Sequence, residues 1–141
     1  MKRILLVEDD DADAMLAERA IGAVLRPSNV TYEVVRARDG IVALDKLFDG
    51  DKLRASFDLI LLDLHLPRMS GIDCLKSIRA HHSGWKIPVV MMTTSNTQND
   101  IEKAYLNHTS GYVEKPLRPE HFNTVIQKTF SFWLDLNLVP R

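Results

Sequence analysis

Four short stretches of this 141-residue chain carry side chains that could do chemistry together: Glu8-Asp9, Asp63, Thr93 with Thr94 and Ser95 behind it, and Lys115. Each closes an apolar run: Ile4-Leu5-Leu6-Val7, Leu59-Ile60-Leu61-Leu62, Val89-Val90-Met91-Met92, and Gly111-Tyr112-Val113 shortly before the lysine. Carboxylates a few ångströms apart repel one another and raise each other's proton affinity, so three of them call for a hard cation between them. Mg²⁺ suits such a place, because it takes oxygen ligands and keeps several waters. A metal held there would draw a phosphoryl donor toward the remaining carboxylate. Thr93 offers a hydroxyl, and Lys115 an ammonium, to phosphoryl oxygens, and phosphoryl transfer asks for little beyond positioning and charge neutralisation. Asp63 is the best nucleophile candidate. Asp9 is the best direct metal ligand, with Glu8 acting directly or through water.

The elements that must position these residues are legible as alternating patterns. After the first apolar run, residues 12–25 place Ala14, Leu16, Ala17, Ile21, Val24 and Leu25 near a 3.6-residue period, which predicts a helix. Thr31 to Arg36 reads as a second strand, and Asp39-Gly40 opens a second helix carrying Ile41, Leu44, Leu47 and Phe48. Ile72, Leu75 and Ile78 mark a third helix after the Asp63 strand, and residues 98–107 a fourth after the Thr93 strand. The last helix starts near Pro119 and carries Phe122, Val125, Ile126, Thr129, Phe130 and Trp133. Five strand–helix repeats follow. Apolar runs without polar alternation mean strands covered on both faces, so the fold class is α/β. The expectation is a three-layer αβα sandwich with a five-stranded parallel sheet of flavodoxin-like order 2-1-3-4-5 and five helices. Its crevice lies beyond the carboxyl ends of the strands, at the switch between the first and third, which Asp63 faces.

Composition sets the outer bounds. With 45% hydrophobic and 26% charged residues the chain can bury a real core, and its net charge of −1 supplies no basic footprint for nucleic acid. A single cysteine, Cys74, excludes an intramolecular disulfide framework and a cysteine-based zinc site. No apolar segment approaches a membrane span, and the four-residue run before Glu8 is too short for a signal-peptide core. The expectation is a cytoplasmic protein with no membrane partner.

Glu8-Asp9, Asp63 followed by Leu64-His65-Leu66-Pro67, Thr93-Thr94, and Gly111-Tyr112-Val113-Glu114-Lys115-Pro116 resemble, in order and at the right strand ends, the motif set of bacterial receiver domains, the response regulators of two-component signalling. The resemblance spans residues 2–134. The long segment between Asp9 and Asp63 and the Phe-Trp-Leu-rich tail are most similar to the stand-alone regulators that partner bacterial phytochrome histidine kinases. It implies that Asp63 is the phosphoacceptor, and that Asp9, Asp63 and the backbone carbonyl of His65 ligate Mg²⁺ with Glu8 as the second acid. It implies further that Thr93 is the switch threonine, Tyr112 the aromatic that moves with it, Lys115 the phosphate-pairing lysine, and Lys115–Pro116 a cis bond. A receiver of this kind is no enzyme beyond assisting its own phosphorylation and dephosphorylation. Output would come from protein contacts, with no output domain and no direct DNA binding.

Each residue also has an ordinary structural use. Acids favour helix N-termini by about 0.3–1 kcal/mol each, and Asp10 and Asp11 are read that way. His65, His81, His82, His108 and His121 show no metal-ligand spacing, and Cys74 reads as a buried thiol. Two alternatives, an enzyme and a cofactor binder, fit less well. A haloacid-dehalogenase-type phosphatase needs a second acid where this chain has His65, and a flavodoxin-like FMN binder needs a neutral phosphate loop where this chain is acidic. A receiver-fold scaffold that never turns over phosphate is the remaining alternative, against which the complete acceptor, metal and lysine set argues. The segment from Phe130 to Val139 is more apolar than one helix face needs. Exposed apolar patches mark interfaces, so a homodimer through the Tyr112 face, the fifth helix and the tail (Phe130, Trp133, Leu136; residues 135–141) is expected.

Overall fold

The computed structural model describes residues 1–140. Seven strands and five α-helices follow one another: β1 (Lys2–Val7), α1 (Asp11–Leu25), β2 (Tyr32–Ala37), α2 (Gly40–Leu47), β3 (Phe48–Asp49), β4 (Lys52–Leu53), β5 (Leu59–Leu62), α3 (Gly71–Ala80), β6 (Val89–Thr93), α4 (Gln98–Leu106), β7 (Gly111–Glu114) and α5 (Phe122–Phe130). Five of the strands form one parallel sheet of order β2-β1-β5-β6-β7, the 2-1-3-4-5 arrangement expected when the small β3–β4 hairpin is set aside.

Alternation inside the apolar runs divides the core in two. Leu5, Val7, Ile60, Leu62, Val89 and Met91 face one side, against Ala43, Leu47, Cys74, Leu75, Ile78 and Ala104 of α2, α3 and α4. Ile4, Leu6, Leu59, Leu61, Val90 and Met92 face the other, against Ala14, Ala17 and Ile21 of α1 and Phe122, Ile126 and Phe130 of α5. Strands buried on both faces are what a doubly covered parallel sheet requires. Four helices begin at a residue whose side-chain oxygen accepts a backbone N–H of the first turn: Asp10 from Asp13, Asp39 from Val42, Ser70 from Asp73 and Thr97 from Asp100. Asp10 is thus the N-cap, while Asp11 pairs with Arg36 and Arg38.

Three expectations need correction. Phe48 leaves α2 and pairs with Leu53 in an antiparallel hairpin whose turn includes Gly50 at φ +57°. Phe48 then stacks on His81 at 3.8 Å between ring centres. The last helix is not continuous from Pro119. Residues Pro119–His121 form a 3₁₀ turn, α5 follows, and Ser131–Leu136 widen into a π-helical turn that ends in an N–H···O bond from Asn137 to Phe132. Phe130 does not belong to a dimer surface, because it is 1% exposed at the bottom of the α1–α5 core. Trp133 is half-buried and packs over Gly111, whereas Phe132 and Leu136 are exposed. Arg141, the last residue of the tail, lies outside the described residues. Among those described, no helix is long and apolar enough to cross a membrane.

Candidate functional site

Strand register brings the chemistry together. Val7 pairs with both Ala37 and Leu62, Leu62 with Met91, and Thr93 with Glu114, so the carboxyl ends of β1, β5, β6 and β7 form one edge. Glu8, Asp63, Thr93 and Lys115 emerge there, all at least nine-tenths buried, with Asp9 exposed at the rim. Carboxylate oxygens of Glu8, Asp9 and Asp63 lie within 4.8 Å of one another.

Lys115 is the hub. Its ammonium donates to Glu8 Oε1, to Asp63 Oδ2 at 2.9 Å and to Asp13 Oδ2 at 3.1 Å. Burial pushes the Glu8 carboxyl up to about 7 against the Lys115 hydrogen bond, with the Asp63 charge adding to the rise. Burial by itself would lower the Lys115 ammonium. The hydrogen bond to Glu8 and the Asp63 charge outweigh it and hold the lysine above its ordinary range. Even with the Glu8 carboxyl partly protonated near neutral pH, the carboxylates of Asp9, Asp13 and Asp63 outnumber the Lys115 ammonium. Hard oxygen donors in excess of positive charge, open to solvent at Asp9, fit a divalent cation that retains waters.

The surrounding backbone holds this geometry from several directions. Arg36, at the end of β2, donates to the carbonyls of Glu8 (3.1 Å) and Asp9 (3.2 Å) and fixes the acidic loop. Asp63 Oδ1 accepts the His65 N–H at 3.3 Å. Gly71 presses on the loop after β5 so closely that a Cβ would meet Asp63 O at 2.1 Å, and its N–H donates to Leu64 O at 2.9 Å. Only glycine fits there. Arg68, in the left-handed region at φ +66°, anchors the same loop by an ion pair to the buried Asp39 at 3.1 Å.

On the other flank Thr93 is fully buried, and its Oγ1 accepts the Ser95 N–H at 3.4 Å. Ser95 Oγ donates to Asp100 Oδ2 at 2.5 Å, and Ser95 O accepts the Tyr112 hydroxyl at 2.9 Å. That bond to Ser95 holds the Asp100 carboxyl below its usual range, and burial raises the Tyr112 phenol. Thr93 and Tyr112 are therefore linked through one residue. The Lys115–Pro116 bond is trans, as are all described peptide bonds, which corrects the cis expectation. Trans is the preferred form of X–Pro by about 0.5–1 kcal/mol, and Lys115 still reaches the site because its N–H continues the ladder to Thr93 O at 2.7 Å.

Of the residues expected at the site, Glu8, Asp9, Asp63 and Lys115 cluster at this edge, and Thr93 and Tyr112 are joined on its flank through Ser95. Asp13 and Arg36 were not anticipated. Asp13 is the third residue of α1, and its place in an acidic run from Glu8 was the available signal. Arg36 lies in a strand pattern that gives no such cue.

Comparison with known proteins agrees with the geometry. The response regulator receiver domain model matches residues 4–127. The chain is 37% identical over 139 residues to the probable methanogenesis regulatory protein FilR2 of Methanothrix harundinacea, covering 97% of this chain and 86% of that one. It is 35% identical over 141 residues to the response regulator Rcp1 of Synechocystis sp., covering 99% and 93%. Among solved structures, the phosphorylated cyanobacterial phytochrome response regulator RcpA superimposes with a TM-score of 0.88 at 35% identity over 99% of each chain. The Mn²⁺-bound form of Rcp1 gives 0.83 at 33% over the whole of both chains.

Proposed function

The chain belongs to the response regulator receiver family, and from that premise we propose that Asp63 accepts a phosphoryl group from the phosphohistidine of a sensor histidine kinase. The observation that carries this reading is the meeting of Lys115 with the carboxylates of Glu8, Asp13 and Asp63 at the strand ends. An Asp63 oxygen attacks phosphorus, the P–N bond to the kinase imidazole breaks, and an acyl phosphate remains. Asp9, Asp63 and the His65 carbonyl would hold Mg²⁺, with Glu8 as the second acid. That ion, when bound, would neutralise charge on the phosphoryl oxygens and help hold the phosphoryl group before the attacking carboxylate. Lys115 turns from the Asp63 oxygen to a phosphoryl oxygen. Thr93 rotates its hydroxyl toward the same group, and Tyr112 follows through Ser95. Phosphorylation then acts by stabilising one of two arrangements of the α4–β7 face. The protein is a phosphoacceptor in signalling that assists only its own phosphorylation and dephosphorylation.

Likeness to RcpA over 99% of the chain favours a bacterial phytochrome as the kinase, in the cytoplasm. The receiver unit is residues 2–134. Output comes by protein contacts, including a homodimer through the Tyr112 face, α5 and the tail, where Phe132 (48%) and Leu136 (70%) are exposed. Light scattering of both phosphorylation states tests the dimer, and a concentration-independent monomer in each overturns it. The phosphoacceptor is tested by intact mass after incubation with acetyl phosphate and Mg²⁺. One added phosphoryl group is expected, lost with a chelator and in Asp63→Asn. No adduct, together with no response to beryllofluoride, returns the chain to the scaffold reading.

A further inference from the structure

We propose that Asp13 is a positioning residue that competes with the phosphoryl group for the Lys115 ammonium. The inference rests on the phosphoacceptor reading above and adds a regulator to that site. An ammonium has three N–H donors and no more. In this structure all three are taken, by Glu8, by Asp63 at 2.9 Å and by Asp13 at 3.1 Å. Glu8 and Asp63 also belong to the trio of carboxylates close enough to share a cation, and Asp13 does not. Asp13 therefore serves the lysine alone. Its backbone is fixed, as the third residue of α1, by the N–H···O bond to Asp10 at 2.9 Å. Its side chain is 36% exposed, against 4% for Glu8 and 11% for Asp63, so it can let go of the lysine into water without stranding a buried charge.

Once a phosphoryl group sits on Asp63, its oxygens need the lysine donor and the full lysine charge. A carboxylate within hydrogen-bond reach takes a share of both and weakens the hold on the developing anion. Asp13 thereby sets how readily the site gains and keeps a phosphoryl group.

Asp13→Asn keeps the size and the acceptor oxygen and removes the charge. With Mg²⁺ present, its affinity for beryllofluoride, followed by amide chemical shifts, should rise about two- to fivefold, the range of a partly exposed charge pair. The same substitution in a Lys115→Met background should change nothing, because the effect runs through the lysine. In the metal-free protein the Lys115 ammonium resonance should move on Asp13→Asn. Asp13→Ser, which also suits a first helical turn, should reproduce the gain. An affinity unchanged in both Asp13 variants, or raised equally without Lys115, overturns the inference. A wild-type protein that binds no beryllofluoride overturns the phosphoacceptor reading and this inference with it, whereas a responsive wild type with indifferent Asp13 variants overturns only the latter.

Discussion

Two cations, the buried Lys115 and the half-buried Arg79, knit distant parts of this chain together, and they do it with opposite kinds of partner. The Lys115 ammonium binds only carboxylates, from the residues that follow β1 and β5 and from the first turn of α1. Arg79, near the end of α3, binds only neutral oxygens: the carbonyls of His108, Gly84 and Ile87, each at 2.8 Å, and the Ser110 hydroxyl at 3.1 Å. Ser110 Oγ in turn accepts the Val89 N–H at 3.0 Å, so the guanidinium fixes the entry to β6 and the loop before β7. Burial alone lowers the Arg79 guanidinium, with no counter-charge to answer it. A clamp on backbone carbonyls has no alternative arrangement to offer. A cation shared among carboxylates does, because any anion that enters competes for its three donors. One end of the sheet is built to stay as it is, and the other to exchange partners.

Three changes break or sharpen that contrast. The largest effect is expected for Arg79→Met. It leaves several part-buried carbonyls without a donor and should cost about 3 kcal/mol in denaturant unfolding. That loss should be the same at pH 5 and pH 8 and unaffected by Mg²⁺. A cost that follows pH or Mg²⁺ would mean the two clamps are not different in kind.

Lys115→Met should cost less at pH 8, because the Glu8 carboxyl it leaves behind can take up a proton and the Asp13 side chain is partly exposed, and its cost should depend on conditions. Burial already holds the Glu8 carboxyl above its unfolded value of 4.5, up to about 7. The folded state therefore binds the extra proton, and stability falls as pH rises between those values. Without the lysine the Glu8 carboxyl rises further and the window extends upward. The loss should shrink toward pH 5, and on adding Mg²⁺, whose charge would replace the lysine's and which should therefore bind the variant more tightly than the wild type. Unfolding curves at the two pH values, with and without Mg²⁺, decide the matter.

The smallest effect is expected at Cys74, on α3 between the two clamps. Burial pushes its thiol up to about 12, the Asp39 charge assisting, so only about one molecule in 10⁴ carries a thiolate at pH 8. Iodoacetamide should leave the native protein unmodified and add one group in denaturant. Native labelling at an appreciable rate would show that α3 opens without global unfolding.

The contrast also explains what could be read in advance. Glu8, Asp63, Thr93 and Lys115 are visible in the sequence because each ends an apolar stretch of strand, and a parallel sheet must deliver strand ends to one edge. Arg79 is invisible, because its partners are carbonyls, which every residue carries. Asp13 and Arg36 were hidden for a related reason. Each sits inside an element with an ordinary pattern, and only the packing of α1 and β2 beside β1 brings them to the acidic loop. The hairpin at Phe48 is not predicted although Gly50-Asp51 is a two-residue turn signal, because Phe48 also fits the stripe of α2. In the tail, apolar composition was legible and its division was not. Phe130 and Trp133 face inward and Phe132 and Leu136 outward only once the helix widens at Ser131.

The central claim is that the exchangeable clamp surrounds a phosphoacceptor at Asp63. An acyl phosphate is reduced by borohydride to the alcohol, which converts the aspartyl residue that carried it to homoserine. Peptide mapping after treatment with acetyl phosphate, Mg²⁺ and borohydride should find that conversion at residue 63 and nowhere else. Conversion at Asp9 or Asp13, or a phosphorylated protein whose residue 63 stays aspartate, would contradict the account.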